Sequence, residues 1–287
     1  MTRSWTLALV LAGALAAMGP LGWMEPRPAR GAGTPVLRVA VPAYWDPEPG
    51  AEWPGLEWRR LLNGTPLVGM VVINPDNGPG SSPDPAYSHL VQAARIKGIR
   101  VLGYVYTQYG TRPLSSVQLD ISRHYSWHAV DGIFLDEAST DCAREAFYYR
   151  PLYNWIKTTY GPTQVVALNP GTQTNECYVL ASDVLLTFEE ACVQDASAND
   201  CSNYRSWALA GWETNYPPDR FWHLVYDVPA AYLANVLAKA RSSHVRWVYV
   251  TSDGGPNPWD TLPTYWELEL TLLGLRRAFL PLIHRGP

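Results

Sequence analysis

Lysine is almost missing from this chain. Only Lys97, Lys157 and Lys239 occur in 287 residues, and no basic run is present. Nucleic acid is held by concentrated positive charge, so a nucleic-acid partner is excluded. The formal net charge is -4, a balance that suits a neutral or cationic partner. No Cys-x-x-Cys pair occurs, which argues against a zinc cluster. His124 and His128 stand at i, i+4, a spacing that can bind zinc on a helix, but no third ligand is evident. No glycine-rich dinucleotide fingerprint follows the first predicted strand. No Gly-x-Ser-x-Gly turn marks a serine nucleophile. Residues 74–82, NPDNGPGSS, are glycine-rich but carry proline where a phosphate loop needs amide donors. Neither a metal nor an organic cofactor is expected.

Long apolar runs are also rare. Residues 7–18, LALVLAGALAAM, follow a short positive start, Met1-Thr2-Arg3, and stop at Gly19-Pro20. That is the pattern of a secretory signal peptide, shorter than the roughly 20 residues a membrane-spanning helix needs. Residues 1–33 therefore read as signal peptide and linker, and residues 34–287 as the folded domain. The chain is expected to be secreted or extracytoplasmic. Retention of the apolar segment would leave it on an N-terminal membrane anchor, and no stable insertion is expected after processing. The four cysteines, Cys142, Cys177, Cys192 and Cys201, fit disulfides in an exported protein. Three pairings are open. Cys192–Cys201 would close a short loop and Cys142–Cys177 would tie neighbouring loops, while free buried thiols are the alternative.

A hydrophobic fraction of 47% is enough for one large core. From residue 37 an apolar run, a polar loop and a helical stretch alternate. Strands are predicted at 37–45, 67–75, 100–107, 132–138, 164–170, 183–190, 221–228 and 245–253. Helices are predicted at 84–98, 115–127, 143–160, 229–241 and 262–279, with short irregular ones at 172–182 and 200–211. Strands alternating with helices imply parallel pairing. Eight units imply a single-domain α/β protein, a (β/α)8 TIM barrel, with a doubly wound open sheet as the alternative. In a barrel of this kind the site lies where strands end. The predicted strand ends are polar: Tyr44-Trp45-Asp46, Asn74, Tyr106-Thr107-Gln108, Asp136-Glu137, Asn169, Glu189-Glu190, Asp227 and Asp253.

Two of those ends carry paired acids. Strands four and six lie two apart around a barrel, so Asp136-Glu137 and Glu189-Glu190 can oppose each other. Opposed carboxylates are the apparatus of glycoside hydrolysis, and like charges raise one pKa of a pair. Alternation along a strand sends one of Asp136 and Glu137 into the cavity and the other toward a neighbouring loop. Acids at strand ends also cap helices or pair with arginine, which is the competing structural reading. The aromatic content is skewed, with 13 Trp and 17 Tyr against 5 Phe. Trp and Tyr stack on sugar rings and add a polar handle. Tyr44, Trp45, Tyr104, Tyr106, Tyr109 and Trp259 fall at the predicted mouth. The candidate catalytic residues are Asp136, Glu137 and Glu189. The candidate substrate-binding residues are Tyr44, Asp46, Asn74, Tyr104, Tyr106, Asn169, Asp253 and Trp259.

The segments VPAYWDPEPGAEW (41–53), INPDNGPG (73–80), LGYVYTQYGTR (102–112), GIFLDEA (132–138), NPGT (169–172), TFEE (187–190) and TSDGGPNPWDTLP (251–263) together resemble the motif series of the spherulation-specific family 4, or spherulin-4-like, proteins. These include glycoside hydrolase family 135. The resemblance covers residues 37–267 in order. It implies a (β/α)8 barrel that cuts α-1,4-linked galactosaminogalactan-type exopolysaccharide at N-acetylgalactosamine or galactosamine units. The family's acid pair falls on Asp136 and Glu137, and its strand-six acid, after Phe, on Glu189. By analogy with retaining α-glycosidase barrels, Asp136 is implied as nucleophile, Glu189 as acid/base, and Glu137 as the residue that tunes them. Tyr44-Trp45-Asp46 departs from the family run, and the cysteine-bearing stretch 192–201 is an insert beside the cleft. The expectation is an exported, monomeric, endo-acting hydrolase with a polysaccharide as partner. A non-catalytic carbohydrate-binding or cell-wall barrel, or a hydrolase of another α-linked glycan, are the alternatives.

Overall fold

The computed structural model describes residues 36–274 apart from 49, 51 and 52. The predicted signal peptide and linker, and positions 275–279 of the last predicted helix, lie outside the described residues. In chain order the strands are β1 (Arg38–Ala43), β2 (Val68–Ile73), β3 (Arg100–Tyr106), β4 (Gly132–Asp136), β5 (Val165–Leu168), β6 (Val184–Ala191), β7 (Gln194–Asp195), β8 (Asp200–Cys201), β9 (Phe221–Tyr226) and β10 (Trp247–Val250). Eight of them close into a barrel, β1-β2-β3-β4-β5-β6-β9-β10 and back to β1. Every neighbouring pair is parallel. The closed barrel rules out the open-sheet alternative. The eight predicted strands are these eight. Their sequences are nearly unbroken apolar runs, VGMVVI in β2 being buried throughout, because a barrel strand has side chains inside and helices outside.

Helices cover the outside where the sequence gives them a stripe and an end. The helix α1 (Leu56–Asn63) buries Trp58, Leu61 and Leu62. It is absent from the sequence reading because eight residues after a proline-rich stretch show barely two turns of periodicity. The next, α2 (Pro85–Ile96), buries Tyr87, Leu90, Val91 and Ala94, the i, i+3, i+4, i+7 stripe of one helix face. The Asp84 side chain accepts from the Ala86 amide at 2.8 Å, and Pro85 occupies the first turn, where its missing N–H is harmless. The helix α3 (Leu114–Arg123) passes into a π-type turn, His124–His128.

The predicted helix 143–160 is broken. A single turn, α4 (Cys142–Arg144), leads through a π-type turn at Glu145–Tyr149 into α5 (Arg150–Tyr160). The wide turn buries Tyr149, whose hydroxyl reaches Thr107 at 2.8 Å. After β5 a 3-10 segment, Glu176–Ala181, stands where residues 172–182 were predicted helical. After β6 the chain forms the β7–β8 hairpin, the short helix α6 (Ser202–Ser206) and two 3-10 turns, Glu213–Asn215 and Pro218–Arg220. Two longer helices, α7 (Leu233–Ser242) and α8 (Trp266–Gly274), complete the outer layer.

Two glycines allow close approach. A Cβ on Gly132 would lie 2.1 Å from the Val165 carbonyl oxygen, and one on Gly103 would lie 2.4 Å from the His124 ring. The His124 Nε2 donates to the Tyr104 carbonyl at 2.8 Å, which seats the end of α3 against β3. Both favoured disulfides form. Cys142–Cys177 spans 35 residues and Cys192–Cys201 spans 9. The first joins the loops after β4 and β5, beside the Asn175 bond to the Thr140 carbonyl at 2.8 Å and the Tyr178 bond to the Asp141 carbonyl at 3.0 Å. The second closes the hairpin after β6. No helix among the described residues is long and apolar enough to cross a membrane.

Two outcomes follow. Gly103→Ala displaces His124 and should lower stability by about 1–3 kcal/mol in urea unfolding; a change below about 0.5 kcal/mol contradicts this packing. Loop-closure entropy makes the longer bridge the stronger constraint. Replacing Cys142 and Cys177 by Ser should lose ~4 kcal/mol, against ~2.5 kcal/mol for Cys192 and Cys201, and the reverse order would refute the argument.

Candidate active site

The strand β4 ends at Asp136, and the next residue leaves the strand sharply. Glu137 has φ 48°, a left-handed conformation uncommon for a non-glycine residue. Its carbonyl is what holds it there. It accepts from the Tyr109 amide at 2.6 Å and from the Thr107 hydroxyl at 2.9 Å. The Asp136 carbonyl also accepts from the Thr107 amide at 2.9 Å. The Tyr149 hydroxyl meets Thr107 and takes the Ser139 amide at 3.0 Å. Asp136 and Glu137 both line one cleft, at the point where the strand ends.

Opposite, on β6, Glu189 enters the same cleft while Glu190 is exposed and accepts from Asn203 at 2.8 Å. The pairing of β6 with β9 slips between Leu186 and Phe188. This is a bulge at Thr187, of the kind that re-aims side chains beside functional sites. The Thr187 hydroxyl bonds His223 Nε2 at 3.0 Å, and the Tyr204 hydroxyl bonds His223 Nδ1 at 2.8 Å. Burial holds His223 down to about 3, so it is neutral.

Between the two acids, at the end of β5, stands Asn169. Its Nδ2 donates to Asp136 Oδ1 at 2.8 Å and to Glu189 Oε2 at 2.6 Å. Those two oxygens therefore lie within about 5.4 Å of each other, the sum of the two bond lengths. The amide cannot be turned over without loss, since its Oδ1 accepts from the Gly171 amide at 2.9 Å.

Burial pushes the Glu189 carboxyl up to about 7, and the charge of Asp136 adds to the rise against the opposing Asn169 bond. Asp136 is also raised by burial, but hydrogen bonds from Tyr104, the Glu137 backbone and Asn169 hold it back. The environments thus separate two carboxyls of similar intrinsic strength, one tending to keep its proton and the other more heavily stabilised as an anion. Beneath them the Tyr44 ring packs edge-on against Tyr104 at 5.4 Å. Both phenols are raised, mainly by burial, and keep their protons.

The cleft measures about 240 Å³ and is lined by Tyr109, Asp136, Glu137, Asn169, Pro170, Gly171, Glu189 and Tyr226. Of the candidate residues, Asp136, Glu137, Asn169 and Glu189 meet here, with Tyr44 and Tyr104 behind them. Others are placed apart. Asp46 accepts from the Tyr87 hydroxyl at 2.6 Å. Asn74 closes its own loop by accepting from the Gly78 amide at 2.8 Å. Tyr106 lies 4.1 Å from the Arg112 guanidinium. Asp253 accepts from Thr261 at 3.1 Å. Trp259 is buried and reaches the cleft through Tyr226, 5.5 Å away. The ring nitrogens of His124 and His128 approach each other at 3.4 Å, on the π-type turn that packs behind β3. Sequence reasoning missed Tyr226, though it directly precedes the polar strand end Asp227. It also missed the supports Thr107, Tyr149, Thr187 and His223, which no spacing reveals.

The chain is similar to known proteins along most of its length. The solved structure described as Aspergillus clavatus Sph3 in complex with GalNAc shares 26% sequence identity, with a TM-score of 0.68 over 83% of this chain and 98% of that one. An endo-1,4-beta-mannanase from Eisenia fetida, at 9% identity, TM-score 0.50 and coverage of 84% and 90%, shares the fold alone. Spherulin-4 of Physarum polycephalum is 37% identical over 175 residues, 60% of this chain, and the match spans 48% of that protein's length. The model of the family named Spherulin4, described as spherulation-specific family 4, matches residues 38–272. With that match spanning nearly all of the barrel, the chain belongs to spherulation-specific family 4.

Proposed function

We propose that this protein is an exported glycoside hydrolase that cuts inside an α-1,4-linked galactosamine or N-acetylgalactosamine exopolysaccharide, with retention at the anomeric carbon. The observation that carries the reading is the single Asn169 amide holding Asp136 and Glu189 together. Retaining enzymes place their carboxyls about 5–5.5 Å apart, and inverting ones about 6.5–9.5 Å to admit a water. A separation of at most about 5.4 Å between the bonded oxygens favours the first. Asp136 is then the nucleophile on the anomeric carbon. Glu189, kept protonated near neutrality, gives its proton to the departing glycosidic oxygen, and later takes one from the water that releases the covalent glycosyl-enzyme. Glu137 faces the same cleft, and its charge helps hold Asp136 up.

The sugar class draws on two supports. The similar Aspergillus protein is described with GalNAc bound. The cleft here is lined by three carboxylates and by no lysine or arginine among the described residues, a lining that accepts a partly deacetylated, cationic chain. Export is supported by the two disulfides, which persist in oxidising compartments.

The deciding experiment is incubation with galactosaminogalactan, read by mass spectrometry. Wild type should release soluble oligosaccharides, while Asp136→Asn and Glu189→Gln should lose activity by ~10²–10⁴-fold or more with circular dichroism unchanged. Wild-type turnover in Asp136→Asn would sink the nucleophile assignment. Polymer retention without cleavage by any of the three would point to the non-catalytic binding barrel instead.

A second outcome concerns stability. The folded Glu189 carboxyl, at about 7, lies above its ordinary value of 4.5. The stabilisation this gives is complete below about pH 4.5 and is lost as pH rises through 7. Unfolding of wild type against Glu189→Gln should therefore show wild type losing on the order of 2–3 kcal/mol relative to the variant between pH 4.5 and 8. A pH-independent difference would show that burial does not raise this group.

A further inference from the structure

The other end of the barrel carries a charge pattern that glycoside cleavage does not use. Arg38 opens β1, Arg100 opens β3, and Arg220 and Arg246 stand immediately before β9 and β10. All four line one cavity of about 430 Å³ at the strand starts, a size within the ~300–1,000 Å³ range of small-molecule sites. Two acids share the lining, Asp183 and Asp219. Asp183 is already committed. It lies 2.6 Å from Lys157 and accepts from the Tyr153 hydroxyl at 3.1 Å and the Val166 amide at 2.8 Å. Asp219 is mostly exposed and stands 3.7 Å from Arg246. Arg100 and Arg246 therefore share this lining with one loosely held carboxylate, beside the guanidiniums of Arg38 and Arg220.

Their donors are arranged rather than scattered. The Arg220 Nη2 is held by the Val179 and Ser182 carbonyls, each at 2.6 Å, while its Nε is buried without a hydrogen-bond partner among the described residues. The Arg38 guanidinium lies 5.5 Å from the Trp247 ring centroid. A Cβ on Gly69 would fall 2.5 Å from the Arg38 Cζ, so the glycine makes the space that the guanidinium fills. The Arg100 side chain is exposed, with no side-chain hydrogen bond or ion pair among the described residues. Like charges gathered in a concave, partly desolvated place repel unless an anion joins them. Guanidinium forks match the oxygens of a phosphate in bidentate geometry.

We infer that this floor cavity is an anion site that takes a phosphate ester between Arg38, Arg100, Arg220 and Arg246. The inference is independent of the sugar chemistry at the mouth. A soluble phosphate ester and a phospholipid headgroup present the same group, and the test separates them.

The full chain is titrated with sn-glycerol 3-phosphate, and with inorganic phosphate, at fixed chloride, following tryptophan fluorescence and thermal unfolding. Saturable binding that weakens with added salt and raises the unfolding temperature is expected. Arg100→Ala and Arg246→Ala should each weaken it at least ~10-fold. Neither side chain holds backbone, so both variants should fold, as circular dichroism would verify. In parallel, the chain and both variants are sedimented with phosphatidylglycerol vesicles and with phosphatidylcholine vesicles. Binding of the soluble ester without an arginine-dependent preference for phosphatidylglycerol assigns a free ligand. A preference that Arg100→Ala abolishes assigns a lipid headgroup. The inference is overturned if neither phosphate compound nor vesicle binds, or if both variants bind as wild type does.

Discussion

One side-chain amide sets the geometry on which the candidate site depends. Two carboxylates about 5 Å apart would repel by roughly 3 kcal/mol at an effective dielectric near 20. Asn169 bonds both with one nitrogen and so defines their spacing while offsetting part of that repulsion. It can do so because it is pinned three ways. Its backbone N–H donates to the Leu135 carbonyl at 2.9 Å, its backbone carbonyl accepts from the Ala138 amide at 2.8 Å, and its Oδ1 takes the Gly171 amide. The first two bonds reach β4 and the residues that follow it, and β4, β5 and β6 are consecutive in the barrel. The acid pair is thus a property of three adjacent strands rather than of any one.

The flanking strands reach that geometry by irregular means. After β4, a left-handed Glu137 is held through its own carbonyl by Thr107 and Tyr109. In β6, a bulge at Thr187 sits two residues before Glu189 and is backed by His223 and Tyr204. Such departures are unfavourable in isolation and persist only where surrounding contacts over-determine them. Here those contacts come from the loop after β3, from the π-type turn before α5, from α6 and from β9. The Cys142–Cys177 bridge adds a covalent link between the loops after β4 and β5.

The two ends of the barrel are electrostatically opposite. At the mouth, Asp136, Glu137 and Glu189 face a cleft whose lining has no cation among the described residues. At the floor, four arginines open the strands around one cavity. A barrel separates the two because its strands, from four residues in β5 to eight in β6, hold their starts and ends at opposite faces. Opposite charge can then accumulate at each end without mutual neutralisation. An acidic mouth and a basic floor attract ligands of opposite charge.

The sequence by itself determined the architecture and the identity of the acids. Eight apolar runs alternating with helical stripes can close only by parallel pairing, since each run is buried on both faces. Polar residues gathered at the ends of those runs then mark the mouth, and Asp136, Glu137, Asn169 and Glu189 were legible there. Both disulfides were the favoured pairing of three that the sequence left open, one closing a short loop and the other tying neighbouring loops. What the tertiary structure decided was direction. Asn74, Tyr106 and Asp253 stand at strand ends like Asn169, yet their side chains are occupied in their own loops or on Arg112. Alternation left open which of Asp136 and Glu137 enters the cavity, because it holds only while a strand continues, and both residues line the cleft. Positive φ, a one-residue bulge and a shared amide bond arise from contacts between segments distant along the chain. Periodicity records only how each segment faces the core, so it carries no trace of them.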